Sequence, residues 1–79
     1  MKNEQHKNFL VAFGCHLKST RKRLGFSQEK LAYESGVELR HIGRIERGEI
    51  NTGIASVKIL ALTMNIKMKE LFDFEYYGL

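Results

Sequence analysis

Residues 28–47 read QEKLAYESGVELRHIGRIER, and their apolar side chains recur at the spacing of two short helices interrupted by a glycine. A small residue, Ala32, lies near the end of the first half, where two crossing helices need room to touch. Gly36 allows a positive φ in a tight turn. Ile42 and Ile45 lie about one helical turn apart and form the buried side of the second half. The stretch therefore predicts two short helices that cross over a tight turn, with the second helix exposing its other side.

The solvent-facing side of the second helix is basic. Arg40 and Arg44 are four residues apart and share one face, with Arg47 beside them. An arginine presented in this way bonds O6 and N7 of guanine in the major groove, and Leu39 is placed to touch a thymine methyl group. Gly43 adds no side chain here, which lets the backbone approach a duplex. On an arbitrary helix these arginines would be an ordinary solvated surface, but the layout around them is that of a DNA-binding helix-turn-helix.

Helical spacing of apolar residues continues on both sides of this motif, and the chain contains no proline. Ser27 is a preferred N-cap for the first helix of the motif, and Gly25 is well placed to end the helix before it. Gly14 lies inside that earlier helix, at a cost of about 1 kcal/mol relative to alanine. Turn-forming residues predict a loop at 49–53. The predicted helices cover residues 7–24, 28–35, 38–47, 54–65 and 68–74.

Length and charge limit the class of protein. The chain has 79 residues and a net charge of +4, which suits one small domain with a polyanionic partner. From Lys18 to Arg47 there are eight basic and four acidic residues, whereas the last ten residues contain three acidic residues and no basic one. The middle of the chain is therefore expected to face phosphates and the C-terminus to face away. We expect a flexible N-terminal arm at residues 1–6 and a single domain at residues 7–79.

Other residue types argue against several further classes. Cys15 alone forms no internal disulfide, which fits a reducing cytoplasm. His16 is its neighbour, and adjacent helical residues point about 100° apart, so the two form no metal-binding face. The sequence shows no catalytic set, phosphate-binding glycine loop, signal peptide or membrane span. We therefore expect a cytoplasmic protein that is not an enzyme and takes no metal, cofactor or small-molecule ligand.

The runs LGFSQEKLA (24–32), SGV (35–37), IGRIERGE (42–49) and KELF (69–72) resemble the Xre, Cro and lambda-repressor type of helix-turn-helix family. The resemblance covers about residues 12–74. It implies an all-α, compact five-helix, lambda-repressor-like domain with its helix-turn-helix at residues 28–47. It also implies sequence-specific binding to double-stranded DNA, usually as a two-fold dimer.

The resemblance implies roles for single residues as well. Gln28 falls where the family touches phosphate, and Arg21 and Glu46 fall on a pair that joins helix one to helix three. Both members of this pair also lie beside buried positions, where an unpaired charge is costly. Glu38 departs from the family's Ser or Thr cap of helix three, and Gly53 from its cap of helix four. The predicted DNA-binding residues are Gln28, Glu38, Leu39, Arg40, His41, Gly43, Arg44, Arg47 and Asn51, with Leu39, Arg40 and Arg44 on the base-reading positions.

The end of the chain, FDFEYYGL (72–79), is apolar for a terminus. It either caps the domain's own core or forms a seam between two copies. The seam is favoured because a chain this small has few other ways to gain stability. The predicted dimer interface consists of Leu71, Phe74, Tyr77 and Leu79.

The combined expectation is a transcriptional regulator that binds a palindromic operator as a homodimer. Its length is similar to that of restriction-modification controller proteins and small phage Cro-like repressors, and antitoxins of this fold stay open as a third subclass. The alternative is a protein-interaction module, antitoxin-like, that uses the same fold without reading bases.

Overall fold

The chain is all-helical in the part that a computed structural model describes, residues 3–78. The elements are an N-terminal 3-10 turn (Asn3–His6), α1 (Lys7–Arg23), α2 (Gln28–Ser35), α3 (Leu39–Glu46), α4 (Ile54–Thr63) and a C-terminal 3-10 turn (Met68–Phe72). The all-α class and the first four helices agree with the sequence prediction, to within one or two residues at each end. Residues 1–2 of the predicted flexible arm lie outside the described residues, and residues 3–6 form the N-terminal turn.

The predicted fifth helix is wrong as an α-helix, because five residues form a 3-10 turn that ends at Phe72. At its start, the carboxylate of Glu70 accepts a hydrogen bond of 2.9 Å from the backbone N–H of Lys67. At its end, the backbone N–H of Phe74 donates to the carbonyl of Phe72 at 3.0 Å, and Asp73 between them has φ −84° and ψ 71°. These angles are those of an inverse γ-turn, which reverses the chain before a further helical turn forms.

The core lies where the four α-helices and the C-terminal turn meet. Its largest fully buried side chains are Leu17, Leu31, Ile42, Ile45, Leu60 and Leu71, which come from all five of these elements. Burying one side chain of this size contributes about 1.5–3 kcal/mol, so the elements hold one another in place. Leu71 has none of its surface exposed. Its predicted place in a dimer interface is therefore wrong, because it has no surface left for a second copy to touch.

The turn between α2 and α3 forms as its glycine predicts. Gly36 has φ 78°, in the left-handed region, and its N–H donates to the carbonyl of Ala32 at 2.9 Å. At the other end of α2, the side chain of Ser27 accepts a hydrogen bond of 2.9 Å from the N–H of Lys30. Both caps are made by neighbours in sequence, so α2 begins and ends where local signals place it.

α1 and α3 pass so closely that one position in α1 has no room for a side chain. A Cβ added at Gly14 would lie 2.6 Å from the carbonyl oxygen of Glu46, and closer still to that of Ile45. Gly14 is a weak point for helix propensity, yet it is the place where the backbones of α1 and α3 touch. The glycine therefore sets the distance between the two helices.

The C-terminal tail folds back along α1. The ring of Phe74 lies 5.7 Å from that of Phe9, and Tyr76 meets Phe9 edge-on at 5.1 Å between centroids. Phe74 is thus half-buried in the chain's own structure, which matches the core-capping alternative, while Tyr77 is 83% exposed. Leu79, the last residue of the predicted dimer interface, lies outside the described residues.

The described residues offer no candidate for a membrane span or a metal site. None of their helices is long and apolar enough to cross a membrane. No three His, Cys, Asp or Glu side chains within residues 3–78 are grouped as metal ligands would be. Nε2 of His16 donates to the carbonyl of Glu70 at 2.7 Å, and Nε2 of His41 lies 3.0 Å from the hydroxyl of Thr52. These two histidines therefore join elements of the fold.

Candidate nucleic-acid interface

One side of α3 is in the core and the other is open to solvent. Ile42 and Ile45 are 0% and 2% exposed, whereas Leu39 is 42% exposed and Arg40 and Arg44 are both exposed. Arg40 makes no side-chain hydrogen bond or ion pair with the other described residues. Its guanidinium group is therefore available to a ligand that approaches α3 from outside.

A buried ion pair fixes the inner side of α3 to α1. Nε and Nη2 of Arg21 donate to the two carboxylate oxygens of Glu46 at 2.7 and 3.0 Å. Nη1 of Arg21 donates to the carbonyl of Phe26 at 2.9 Å, and the amide of Gln28 donates to Glu46 at 2.9 Å. One carboxylate thus joins α1, α2 and α3, and it sets the angle at which α3 faces outward.

Several predicted DNA-binding residues lie around α3 rather than on its open face. The amide nitrogen of Gln28 donates a hydrogen bond to Glu46 within the protein. The predicted contact of Gln28 with phosphate stays a prediction. His41 is half-buried against Thr52 in the loop after α3. Glu38 is the N-cap residue of α3, but its side chain makes no capping hydrogen bond. Asn51 is exposed in the loop that follows α3.

α3 ends in two backbone hydrogen bonds that fix the residues after it. Gly48 has φ 71° and donates its N–H to the carbonyl of Ile45, while the N–H of Glu49 donates to the carbonyl of Arg44, both at 3.0 Å. This is the Schellman arrangement. A Cβ at Gly48 would lie 2.7 Å from the Cα of Val11, so α1 also packs against this turn. The position of Glu49 beside the end of α3 is therefore built into the backbone.

The carboxylate of Glu49 lies between two arginines of the exposed face. Nε of Arg47 donates to Oε2 of Glu49 at 2.7 Å, and Nη2 of Arg47 donates to Oε1 at 3.4 Å. Nε of Arg44 lies 3.7 Å from Oε1. The hydrogen bond from Arg47 lowers the pKa of the Glu49 carboxyl below its ordinary value, and it raises the pKa of Arg47. The carboxylate is therefore charged throughout the neutral pH range.

Gly43 is buried, and the approach of the backbone to a duplex at this position stays a prediction. Arg47 folds over it, because a Cβ added at Gly43 would lie 3.1 Å from Nη1 of Arg47. The missing side chain makes room for the arginine. The side chain of Arg47 itself stays 59% exposed.

A helix-turn-helix family model matches residues 17–71, which is more than half of the chain. The chain belongs to the helix-turn-helix family. The matched region begins within α1, includes α2, α3 and α4 and ends in the C-terminal turn.

Known regulators are similar to this helix-turn-helix chain. The HTH-type transcriptional regulator SlrR of Bacillus subtilis is 41% identical over 56 residues, which are 70% of this chain and 37% of SlrR. The chain thus spans little more than a third of the length of that relative. The crystal structure of the restriction-modification controller protein C.AhdI from Aeromonas hydrophila superposes with a TM-score of 0.78 at 39% identity, over 81% of this chain and 97% of C.AhdI. The master regulator for biofilm formation SinR, solved in complex with DNA, gives a TM-score of 0.72 at 27% identity, over 77% of this chain and 98% of the SinR chain in that structure.

Two contacts in this helix-turn-helix domain escape prediction from the sequence. The first is the contact of Glu49 with Arg44 and Arg47. The sequence contains one signal for it, because Gly48 ends α3 and places the next residue, Glu49, beside the last turn of the helix. The second is the hydrogen bond from Gln28 to Glu46, across 18 residues. No local pattern indicates it, since it depends on the angle between α2 and α3.

Proposed function

We propose that this chain is a sequence-specific DNA-binding transcriptional regulator of the bacterial cytoplasm, with α3 as the helix that enters the major groove. The observation that carries the proposal is the open arginine face of α3, held outward by the core and by the buried pair of Arg21 and Glu46. An arginine on such a face bonds O6 and N7 of guanine. The relatives support the proposal, because SlrR is a transcriptional regulator and SinR has been solved on DNA.

Binding would proceed in two stages. The net charge of +4 attracts the chain to any duplex, and contacts with phosphates hold it there in a salt-dependent way. Specific binding then requires Arg40 and Arg44 to meet the bases in the correct register, which the phosphate contacts help to fix. The buried pair of Arg21 and Glu46 keeps α3 at one angle to α1 during this search, with both arginines on its exposed side.

Arg44→Ala is expected to lower affinity for a specific duplex about 5–150-fold per subunit, because one arginine–guanine pair contributes about 1–3 kcal/mol. The fold is expected to survive, since the side chain of Arg44 is 47% exposed. The duplex is selected from a randomised pool by the wild-type protein, and binding is measured by fluorescence anisotropy. Lys69→Ala is the control, because Lys69 carries the same charge and is exposed on the C-terminal turn. Equal losses in the two variants would contradict base reading by Arg44.

The same assay across salt concentrations tests DNA binding as such. The logarithm of the wild-type affinity for random duplex is expected to fall with the logarithm of salt at about −0.9 per phosphate contact. A flat response would exclude the DNA-binding function. A partner protein that co-purifies with the chain would then favour the protein-interaction alternative.

We also propose that two copies bind one palindromic operator, because one recognition helix covers too few base pairs to select a site in a genome. The two most exposed aliphatic side chains of the described residues are on α4, Ile54 at 69% and Leu62 at 66%. Phe72, 39% exposed, lines the same shallow apolar cavity as Ile54. This surface supports a dimer better than the tail does, since Leu71 is buried and Phe74 packs on α1.

Ile54→Glu is expected to give monomers at micromolar concentrations, because it places a charge in the apolar cavity that Ile54 and Phe72 line. Tyr77→Glu, at an exposed position in the tail, is expected to leave the dimer intact. Sedimentation equilibrium distinguishes the two variants. If only Tyr77→Glu dissociated the dimer, the dimer interface would lie in the tail. A wild type that is monomeric at every concentration would rule out both surfaces.

A further inference from the structure

Glu49 is an acidic residue within a basic face, and its position is fixed. The two backbone hydrogen bonds at Gly48 and Glu49 end α3, and α1 packs against this turn at Val11. The carboxylate accepts two hydrogen bonds from Arg47 and lies 3.7 Å from Nε of Arg44. We propose that Glu49 is a positioning residue that sets the selectivity of α3 for its DNA site, by holding these two arginines against the attraction of DNA phosphates. The proposal rests on the proposed function, DNA binding by α3.

The guanidinium group of Arg47 lies between Glu49 and Gly43. Glu49 binds Nε and Nη2 of this group, and Nη1 lies over Gly43, 3.1 Å from where a Cβ would be. A larger residue at position 43 would displace the arginine. Gly43 supplies the space and Glu49 supplies the hydrogen bonds. An arginine paired in this way reaches a phosphate only by giving up a charge-assisted hydrogen bond.

Arg44 has Glu49 beside its Nε, while its two terminal nitrogens are not hydrogen-bonded to the other described residues. The distance of 3.7 Å from its Nε to Glu49 is longer than a hydrogen bond, so the pair is loose. Because the two terminal nitrogens of Arg44 make no hydrogen bond with the rest of the described residues, they stay available as donors. These are the two donors that match O6 and N7 of a guanine.

The consequence for DNA is a difference between two kinds of site. On any duplex, the Glu49 carboxylate repels phosphates and offsets the charge of the arginines, which weakens non-specific binding. At a guanine, the terminal nitrogens of Arg44 are free of Glu49 and can bond the base, so specific binding is retained. Selectivity is the ratio of the two affinities, and a repulsive group that weakens the wrong complex raises this ratio.

Glu49→Gln tests the proposal, because it keeps the shape of the side chain and removes its charge. Affinity for random-sequence duplex is expected to rise about tenfold near 0.1 M salt, with a salt slope steeper by about 0.9 per subunit, the change for one added phosphate contact. Affinity for a duplex selected by the wild type from a randomised pool is expected to change less than about threefold, since base contacts already fix that complex. The ratio of the two affinities therefore falls.

Glu34→Gln is the matched control. It removes the same charge from an exposed residue of α2 whose side chain makes no hydrogen bond or ion pair with the other described residues. Both affinities are expected to stay within about twofold of wild type, because an unpaired surface charge is largely screened. NMR of the DNA-free protein adds a direct reading. The Nε–H signals of Arg44 and Arg47 are expected to shift in Glu49→Gln and to stay in place in Glu34→Gln.

The outcomes separate this inference from the function on which it rests. If wild-type binding depends on salt but the two variants match in affinity, salt slope and arginine signals, Glu49 has no such role and DNA binding stands. If the wild type binds no duplex in a salt-dependent way, the function and the inference are both overturned. The spectrum of each variant also reports its fold, so a change in DNA binding is not confused with unfolding.

Discussion

Removing Arg21 or Glu46 alone is expected to lower the free energy of unfolding by about 3–5 kcal/mol, because each change leaves the other charge buried without its partner. The two side chains are 6% and 2% exposed, so water does not replace the lost hydrogen bonds. Arg21→Leu leaves the carboxylate with the Gln28 amide, and Glu46→Leu leaves the guanidinium with the Phe26 carbonyl. The total stability of such a domain is about 5–15 kcal/mol, so either change brings it close to unfolding. Urea denaturation followed by circular dichroism measures both losses.

The double variant, Arg21→Leu with Glu46→Leu, distinguishes a pair from two unrelated side chains. It is expected to lose much less stability than the two single losses together, because no unpaired charge is left in the interior. The exposed pair of Arg47 and Glu49, 59% and 46% exposed, is the control and is expected to show far weaker coupling. Additive losses at Arg21 and Glu46 would mean that the two side chains stabilise the fold independently.

The helix-turn-helix was predictable because its signals are local. Ser27 caps α2 and Gly36 turns the chain after it, and both act on residues within four positions of themselves. The C-terminal turn was not predictable in the same way. Its helical periodicity runs on to Phe74, but an inverse γ-turn at Asp73 ends the turn, and Phe74 then packs on Phe9 far away in sequence. A contact between residues so far apart in the sequence cannot be predicted from the pattern of a short segment.

The open face of α3 was predictable for a similar reason, and its internal contacts were not. Helical spacing places Ile42 on one side and Arg44 on the other, whatever surrounds them. Which acceptor Arg47 finds depends on the turn that follows the helix and on the space above Gly43. Periodicity also does not say whether an apolar residue faces its own core or a partner, and this is why Leu71 was assigned to an interface.

Gly14→Ala is expected to destabilise the domain by about 1–3 kcal/mol, the usual cost of overpacking a tight contact. Helix propensity alone would favour alanine by about 1 kcal/mol, so the two arguments give opposite signs. The contact is expected to win, because the new methyl group would lie 2.6 Å from the carbonyl oxygen of Glu46. That oxygen belongs to the backbone of α3 and has no rotamer in which to move away. α1 and α3 would have to separate at Gly14. This position lies two helical turns from Arg21, the residue of α1 that bonds Glu46.

Gly53→Ala is the control, because Gly53 has φ −70° and no atom lies within 4 Å of its added Cβ. Its stability is expected to stay within about 0.5 kcal/mol of wild type, since the smaller entropy of the unfolded chain offsets a poorer N-cap for α4. Thermal melting of the two variants shows whether each substitution raises or lowers the stability of the domain. If Gly14→Ala melted at or above the wild-type temperature, α1 and α3 would have to lie farther apart than the structure places them. A loss confined to Gly14→Ala means that the glycine is kept for the spacing of α1 and α3, on which the outward orientation of α3 depends.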